Sequence, residues 1–171
     1  MQRIALILAA SSALALGACK KEPPAELPPA PAATPAPTQT GTPTPTGMAA
    51  PGSQAHFSQT MAGRDTILFD TDRYNIDSED AAALRAQAEY MTQYANTRAT
   101  IEGHADERGT RDYNLALGER RANAARNYLV SLGIAESRLR TVSYGEERPA
   151  ATGSTESAWA RNRRAVTVMI Q

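Results

Sequence analysis

The C-terminal part of the chain predicts an α/β (α+β) two-layer sandwich, a mixed four-stranded sheet with helices packed on one face. Three observations carry this expectation. Short apolar runs of strand character alternate with stretches that follow the 3.6-residue helical period. The strand runs are separated by helices, which demands crossover connections and sets helices against a mixed sheet. The composition also changes abruptly near residue 61: ten of the 11 prolines fall between Pro23 and Pro51, with Pro149 alone beyond them.

Taken in order, Thr66 to Phe69 is a short strand closed by the polar stretch Asp70 to Asn75. Asp77 or Ser78 can cap a helix whose apolar positions Ala81, Leu84, Ala88, Met91 and Ala95 follow the helical period. Thr100 to His104 reads as a second strand, and Gly103 and Gly109 bracket a charged loop. A long helix is expected from about Asp112 to Leu132. It places Ala122, Ala125, Leu129 and Leu132 on one face, with Gly133 as its stop. Leu139 to Tyr144 is a third strand, Gly145 to Gly153 a loop, and Glu156 to Arg161 a short helix. Ala165 to Ile170, apolar on both faces, closes the sheet.

Ahead of this domain, assigned to residues 61–171, the chain has two segments of different physics. Arg3 precedes an apolar run from Ile4 to Leu16, too short to span a bilayer core of roughly 30 Å as a helix. The run ends Leu16-Gly17-Ala18-Cys19 and resembles the lipobox of bacterial lipoproteins. That resemblance implies a signal peptide over residues 1–18 and lipidation of Cys19, the chain's one cysteine. Lys20 and Lys21 follow, and the absence of aspartate there favours the outer membrane as destination. Residues 19–60 are then the lipid-bearing cysteine and a tether rich in proline, alanine and threonine. It holds too little apolar surface to offset chain entropy and has a reach on the order of 100 Å if extended. A proline-rich ligand for a partner domain, through Pro28 to Pro37, is the competing reading of the same stretch.

Lysine plus arginine and aspartate plus glutamate both number 18, for a formal net charge of zero. This argues against nucleic acid as a partner, because non-specific binding to a polyanion needs a basic field. The densest polar cluster is Glu102 to Gly109, followed by Asn114, Leu117, Arg120 and Arg121. Asn114, Leu117 and Arg121 share one helix face through spacings of three and four. Asp106 lies where the second strand gives way to loop. Asp106 and Arg121 would suit a zwitterion, an ammonium on the carboxylate and a carboxylate on the guanidinium fork. Spacing leaves a second reading open, an exposed ion pair between these two residues that contributes little. His104 is expected to be a hydrogen-bonding structural residue. With His56 in the tether and Cys19 at the leader junction, no zinc ligand set assembles, and no metal or cofactor is expected. A wall hydrolase using Glu102, Asp106 or Glu107 would need carboxylates that converge. Neighbours 106 and 107 diverge in an extended chain.

Six segments then carry a family resemblance: Phe69-Asp70, Gly103-His104-Ala105-Asp106-Glu107-Arg108-Gly109-Thr110, Tyr113-Asn114, Leu117-Gly118-Glu119-Arg120-Arg121-Ala122, Val142-Ser143-Tyr144-Gly145-Glu146 and Asn162-Arg163-Arg164-Ala165. In this order, over about Thr66 to Ile170, the chain resembles the OmpA-like peptidoglycan-binding domain, and within that family its lipid-anchored members of the Tol system. Ala105, where many members carry threonine, is a mark of that branch. The resemblance implies a pocket for the diaminopimelate of the peptidoglycan stem peptide, with Asp106 on its ammonium and Arg121 on its carboxylate. Asn114 and Leu117 would line the pocket, Phe69 and Asp70 would contribute from the first loop, and Arg163 and Arg164 would brace site or sheet. It further implies non-catalytic tethering of the outer membrane to the wall and TolB, with other Tol proteins, as partners. A structural adaptor that binds only proteins remains the alternative.

Overall fold

The computed structural model describes residues 49–170. The leader, Cys19 and most of the predicted tether lie outside the described residues. Four helices and four strands follow one another as α1 (Gln54–Met61), β1 (Thr66–Leu68), α2 (Ser78–Gln93), β2 (Arg98–His104), α3 (Arg111–Ser131), β3 (Leu139–Gly145), α4 (Glu156–Asn162) and β4 (Arg164–Ile170).

The strands form one sheet in the order β1-β4-β2-β3. β2 runs parallel to β3, and β4 is antiparallel to both β2 and β1, so the sheet is mixed as expected. The parallel pair needs a long crossover, which α3 supplies. Alternation along β4 shows which face is covered: Ala165, Thr167 and Met169 are buried, while Val166, Val168 and Ile170 between them are half-buried. The core joins Leu84, Ala88 and Met91 of α2 with Ala122, Ala125 and Leu129 of α3 over Ala99, Ile101, Ala165 and Met169 of the sheet.

Side chains cap the starts of both long helices. Asp77 accepts from the backbone N–H groups of Glu79 and Asp80, and Asp80 answers with a reciprocal bond, completing a capping box. Thr110 caps α3 through the Tyr113 N–H. Two helix ends differ from expectation. Ala95 lies beyond α2, which stops at Gln93, and Leu132 is the exposed C-cap of α3 rather than a core residue.

The larger correction is at the N-terminal boundary. Residues 54–60, assigned to the tether, form α1 and belong to the globular domain. Phe57 is completely buried, and its ring meets Tyr90 edge-on at 4.9 Å between centroids. His56 Nδ1 lies 2.8 Å from the Tyr90 hydroxyl. Gln54 Oε1 accepts from the backbone N–H of Met169 at 2.6 Å, fixing the start of α1 beside the end of β4. A short, polar helix with one phenylalanine has little periodicity, and the prolines before it drew the boundary too late.

One contact sets the distance between α3 and the sheet. A Cβ on Gly103 of β2 would stand 1.8 Å from the Gly118 carbonyl oxygen, and one on Gly118 would stand 2.4 Å from Ser143 Oγ. The backbones therefore cross at a separation only glycine permits. This contact seats the N-terminal half of α3 directly against the end of β2.

Candidate binding site

Where β2 ends, three segments enclose a cleft of about 300 Å³. Thr71 and Asp72 come from the β1–α2 loop. Ala105, Asp106, Arg108 and Gly109 come from the β2–α3 loop, and Tyr113, Asn114, Leu117 and Arg121 from α3. The predicted helix face is thus the one that looks into the cleft, and Asp106 lies on the same cleft. No cysteine or metal-binding cluster of histidine and carboxylates is found there among the described residues.

Arg121 is fully buried, yet it forms no salt bridge among the described residues. Its guanidinium is held by backbone carbonyls instead. Nε donates to Arg73 O at 2.9 Å, Nη1 to His104 O at 2.8 Å and Nη2 to Asp70 O at 3.1 Å. The Phe69 ring lies beneath it, 5.2 Å from the guanidinium carbon to the ring centroid. A guanidinium has five N–H donors, so two remain for a ligand. Burial, and then the neighbouring Arg163, lower its pKa to about 10, against the opposing pull of Asp106 and Asp72. The group is still cationic at neutral pH. A buried cation with no carboxylate in contact is costly.

Asp106 is buried too, but it is paired. Arg108 approaches it through its backbone N–H and Nε, at 3.1 and 3.0 Å to Oδ1, and through Nη2 at 2.7 Å to Oδ2. Arg163 Nη1 lies 3.4 Å from Oδ2. Burial alone would raise the Asp106 pKa, and the hydrogen bonds from Arg108 outweigh it, holding the carboxyl below its ordinary range. The surface-pair reading of Asp106 with Arg121 is therefore corrected: both are buried, and the cations on Asp106 are Arg108 and Arg163.

Phe69 and Asp70 enter differently from expectation. Neither lines the cleft. Phe69 supplies a ring face and Asp70 a carbonyl to Arg121, whereas the loop residues on the cleft itself are Thr71 and Asp72. Asn114 donates to Arg108 O at 3.0 Å and to the Glu146 carboxylate, tying α3 to the loops on either side. Arg163 joins neighbouring elements beside Asp106: Nε donates to Phe69 O at 2.9 Å and Nη2 to Glu156 at 2.9 Å. His104 departs from its expected role. It is buried against Tyr144, and neither ring nitrogen meets a hydrogen-bond partner among the described residues. Burial, followed by Arg164 and Arg148, lowers its pKa to about 4.

Thr71, Asp72, Arg108 and Tyr113 were not singled out as site residues. Tyr113 precedes Asn114 at the start of α3, where position alone does not say that the ring turns toward the cleft. Thr71 and Asp72 come from a loop brought in by tertiary packing, and their spacing carried no signal. Arg108 sat inside the matched motif with no stated role.

Fold and cleft together define a small α+β ligand-binding domain, with a charged cleft where the second strand meets its crossover helix. The OmpA family matches residues 68–163. The chain belongs to the OmpA family. Relatives include the peptidoglycan-associated lipoproteins of Rhizobium meliloti, 54% identical over 119 residues, and of Mesorhizobium japonicum, 52% identical over 119 residues. Each match covers 70% of this chain, with 66% of the Rhizobium protein and 70% of the Mesorhizobium protein. The crystal structure of the peptidoglycan-associated lipoprotein from Burkholderia pseudomallei is similar at a TM-score of 0.60 and 41% identity, covering 61% of this chain and 89% of that one. The cell wall anchor of the type VI secretion system from Pseudomonas aeruginosa shares the fold at a TM-score of 0.56 and 20% identity, covering 71% and 99%. The chain is a binding protein and not an enzyme.

Proposed function

We propose that this chain is an outer-membrane lipoprotein, facing the periplasm, that grips peptidoglycan non-covalently through the diaminopimelate of the stem peptide. The observation that carries the reading is Arg121: a buried guanidinium facing a cleft, held by three carbonyls and lacking an anion of its own. The free carboxylate at the end of the diaminopimelate side chain would take its two remaining donors. The adjacent ammonium would turn to Asp106, and the apolar stem between backbone and charges would lie along Leu117 and Tyr113. A ligand with both charges on one carbon can meet both residues at once, and a side chain without the carboxylate leaves Arg121 uncompensated. Relatives named for peptidoglycan association support the same ligand.

In this reading Cys19 carries the lipid, the proline-rich segment spans from membrane to wall, and TolB with other Tol proteins is the partner set through which the anchor serves envelope integrity and division. Co-sedimentation with purified sacculi tests the grip. Asp106→Ala and Arg121→Ala should each lose most of the bound fraction, while Arg121→Lys keeps the charge and separates charge from the carbonyl clamp. Thermal melts of each variant identify any that fail to fold. Undiminished sedimentation by folded Asp106→Ala and Arg121→Ala would overturn the site. The mass of the mature protein tests acylation of Cys19, and TolB capture from solution tests the partnership.

A further inference from the structure

Asp106 poses a difficulty for any cationic ligand, because its carboxylate is already taken. The Arg108 guanidinium binds both of its oxygens, at 3.0 and 2.7 Å. Arg163, the other cation on it, is fixed by Phe69 O and Glu156 and stands farther away at 3.4 Å. Arg108 differs in being a movable group. Its side chain is 38% exposed, lines the cleft, and makes its one other hydrogen bond among the described residues to Thr71 Oγ1 at 3.3 Å.

While bound to Asp106, Arg108 already rests against a second seat. Its guanidinium carbon lies 4.3 Å from the centroid of the Trp159 ring, and Nη1 is 3.9 Å from Glu156. Trp159 is itself held in place by a bond from Nε1 to Glu107 at 3.0 Å. An aromatic face with a carboxylate beside it is a good resting place for a displaced guanidinium.

Resting on the reading above, we infer that Arg108 is a resident stand-in for the ligand's ammonium: it holds Asp106 until the ammonium arrives, then releases the carboxylate and settles fully on Trp159 and Glu156, which it already touches. The buried carboxylate thus keeps two cationic partners throughout, Arg163 and then either Arg108 or the ammonium. The exchange also sets specificity. A ligand without a cationic group has nothing to trade for Arg108 and meets its guanidinium in the cleft. Apparent affinity is reduced by the fraction of molecules in which Arg108 holds the subsite.

The test is a titration of a diaminopimelate-containing stem tripeptide against the whole domain, followed by the emission of Trp159, the chain's one tryptophan. Arg108→Gln frees the subsite and should bind about fivefold more tightly, the modest factor expected of an ion pair whose arginine is partly exposed. The wild-type emission should shift on saturation as the guanidinium changes its position over the indole, and in Arg108→Gln the shift should vanish. The same peptide with the side-chain amine acetylated should gain nothing from Arg108→Gln. Weaker or unchanged binding by Arg108→Gln, or a wild-type emission that stays still at saturation, would overturn the exchange while leaving the diaminopimelate reading in place. Wild-type affinity in Asp106→Ala would overturn that reading and the exchange with it.

Discussion

Acidification should unlock the domain through His104. The imidazole has an unperturbed pKa near 6.5 and is held at about 4 in the folded protein, first by burial and then by Arg164 and Arg148. The folded state therefore favours the neutral ring. Its contribution to stability is complete above about pH 6.5 and is lost as pH falls from there toward 4. At pH 5 the unfolded ring is almost wholly protonated and the folded ring is not, which costs on the order of 2 kcal/mol relative to pH 7.5. Urea unfolding at the two pH values, compared with His104→Gln, isolates this contribution from carboxylates that titrate in both proteins. The midpoint of the wild type should fall between pH 7.5 and 5.0 by more than that of the variant, with little change in slope. Equal pH dependence in the two proteins would refute the reasoning, because it would mean that the folded ring takes up a proton as readily as the unfolded one. The site should respond as well, since the His104 carbonyl is one of three that hold Arg121.

Three further outcomes follow from the packing. Gly118→Ala puts a methyl against Ser143 Oγ and the Gly103 carbonyl; it should destabilise by about 1–3 kcal/mol and weaken sacculus binding by displacing Leu117 and Arg121, read by melting and co-sedimentation together. Phe57→Ala should cost about 3–5 kcal/mol in chemical unfolding, a loss that a residue in a structureless tether could not produce. Arg163→Met removes the bond to Phe69 O and one of the two cations on Asp106; a loss of about 2–4 kcal/mol in urea unfolding is expected.

Much of the architecture was readable because its signals are local. The Asp77 cap and the period of Leu84, Ala88 and Met91 each need only a few neighbouring residues. The pairing of β4 between β1 and β2 is a tertiary fact, and the mixed sheet followed from the crossover argument rather than from any strand. At the site, spacing alone put Asn114, Leu117 and Arg121 on one helix face. It could not tell a buried cation from an exposed one, because the carbonyls of Asp70, Arg73 and His104 that hold Arg121 come from distant loops whose side chains carry no trace of that duty. Phe69 was read as a pocket residue, and the role it plays, a ring beneath the guanidinium, is visible only once β1 is in place.

The seat of α1 beside the end of β4 has a mechanical consequence. The chain enters the domain at α1, where Gln54 binds the Met169 backbone, whereas the cleft opens near Arg163, at the opposite end of the same strand. Six residue steps separate Arg163 from Met169, about 20 Å of extended chain. A load applied between the N-terminal segment and a ligand in the cleft therefore runs along the strands and not across them. In that direction the hydrogen bonds joining β4 to β1 and β2 are sheared together, and none can be peeled open singly. An anchor pulled from these two points would resist as a unit, and the same domain pulled from both ends of one edge strand would yield bond by bond.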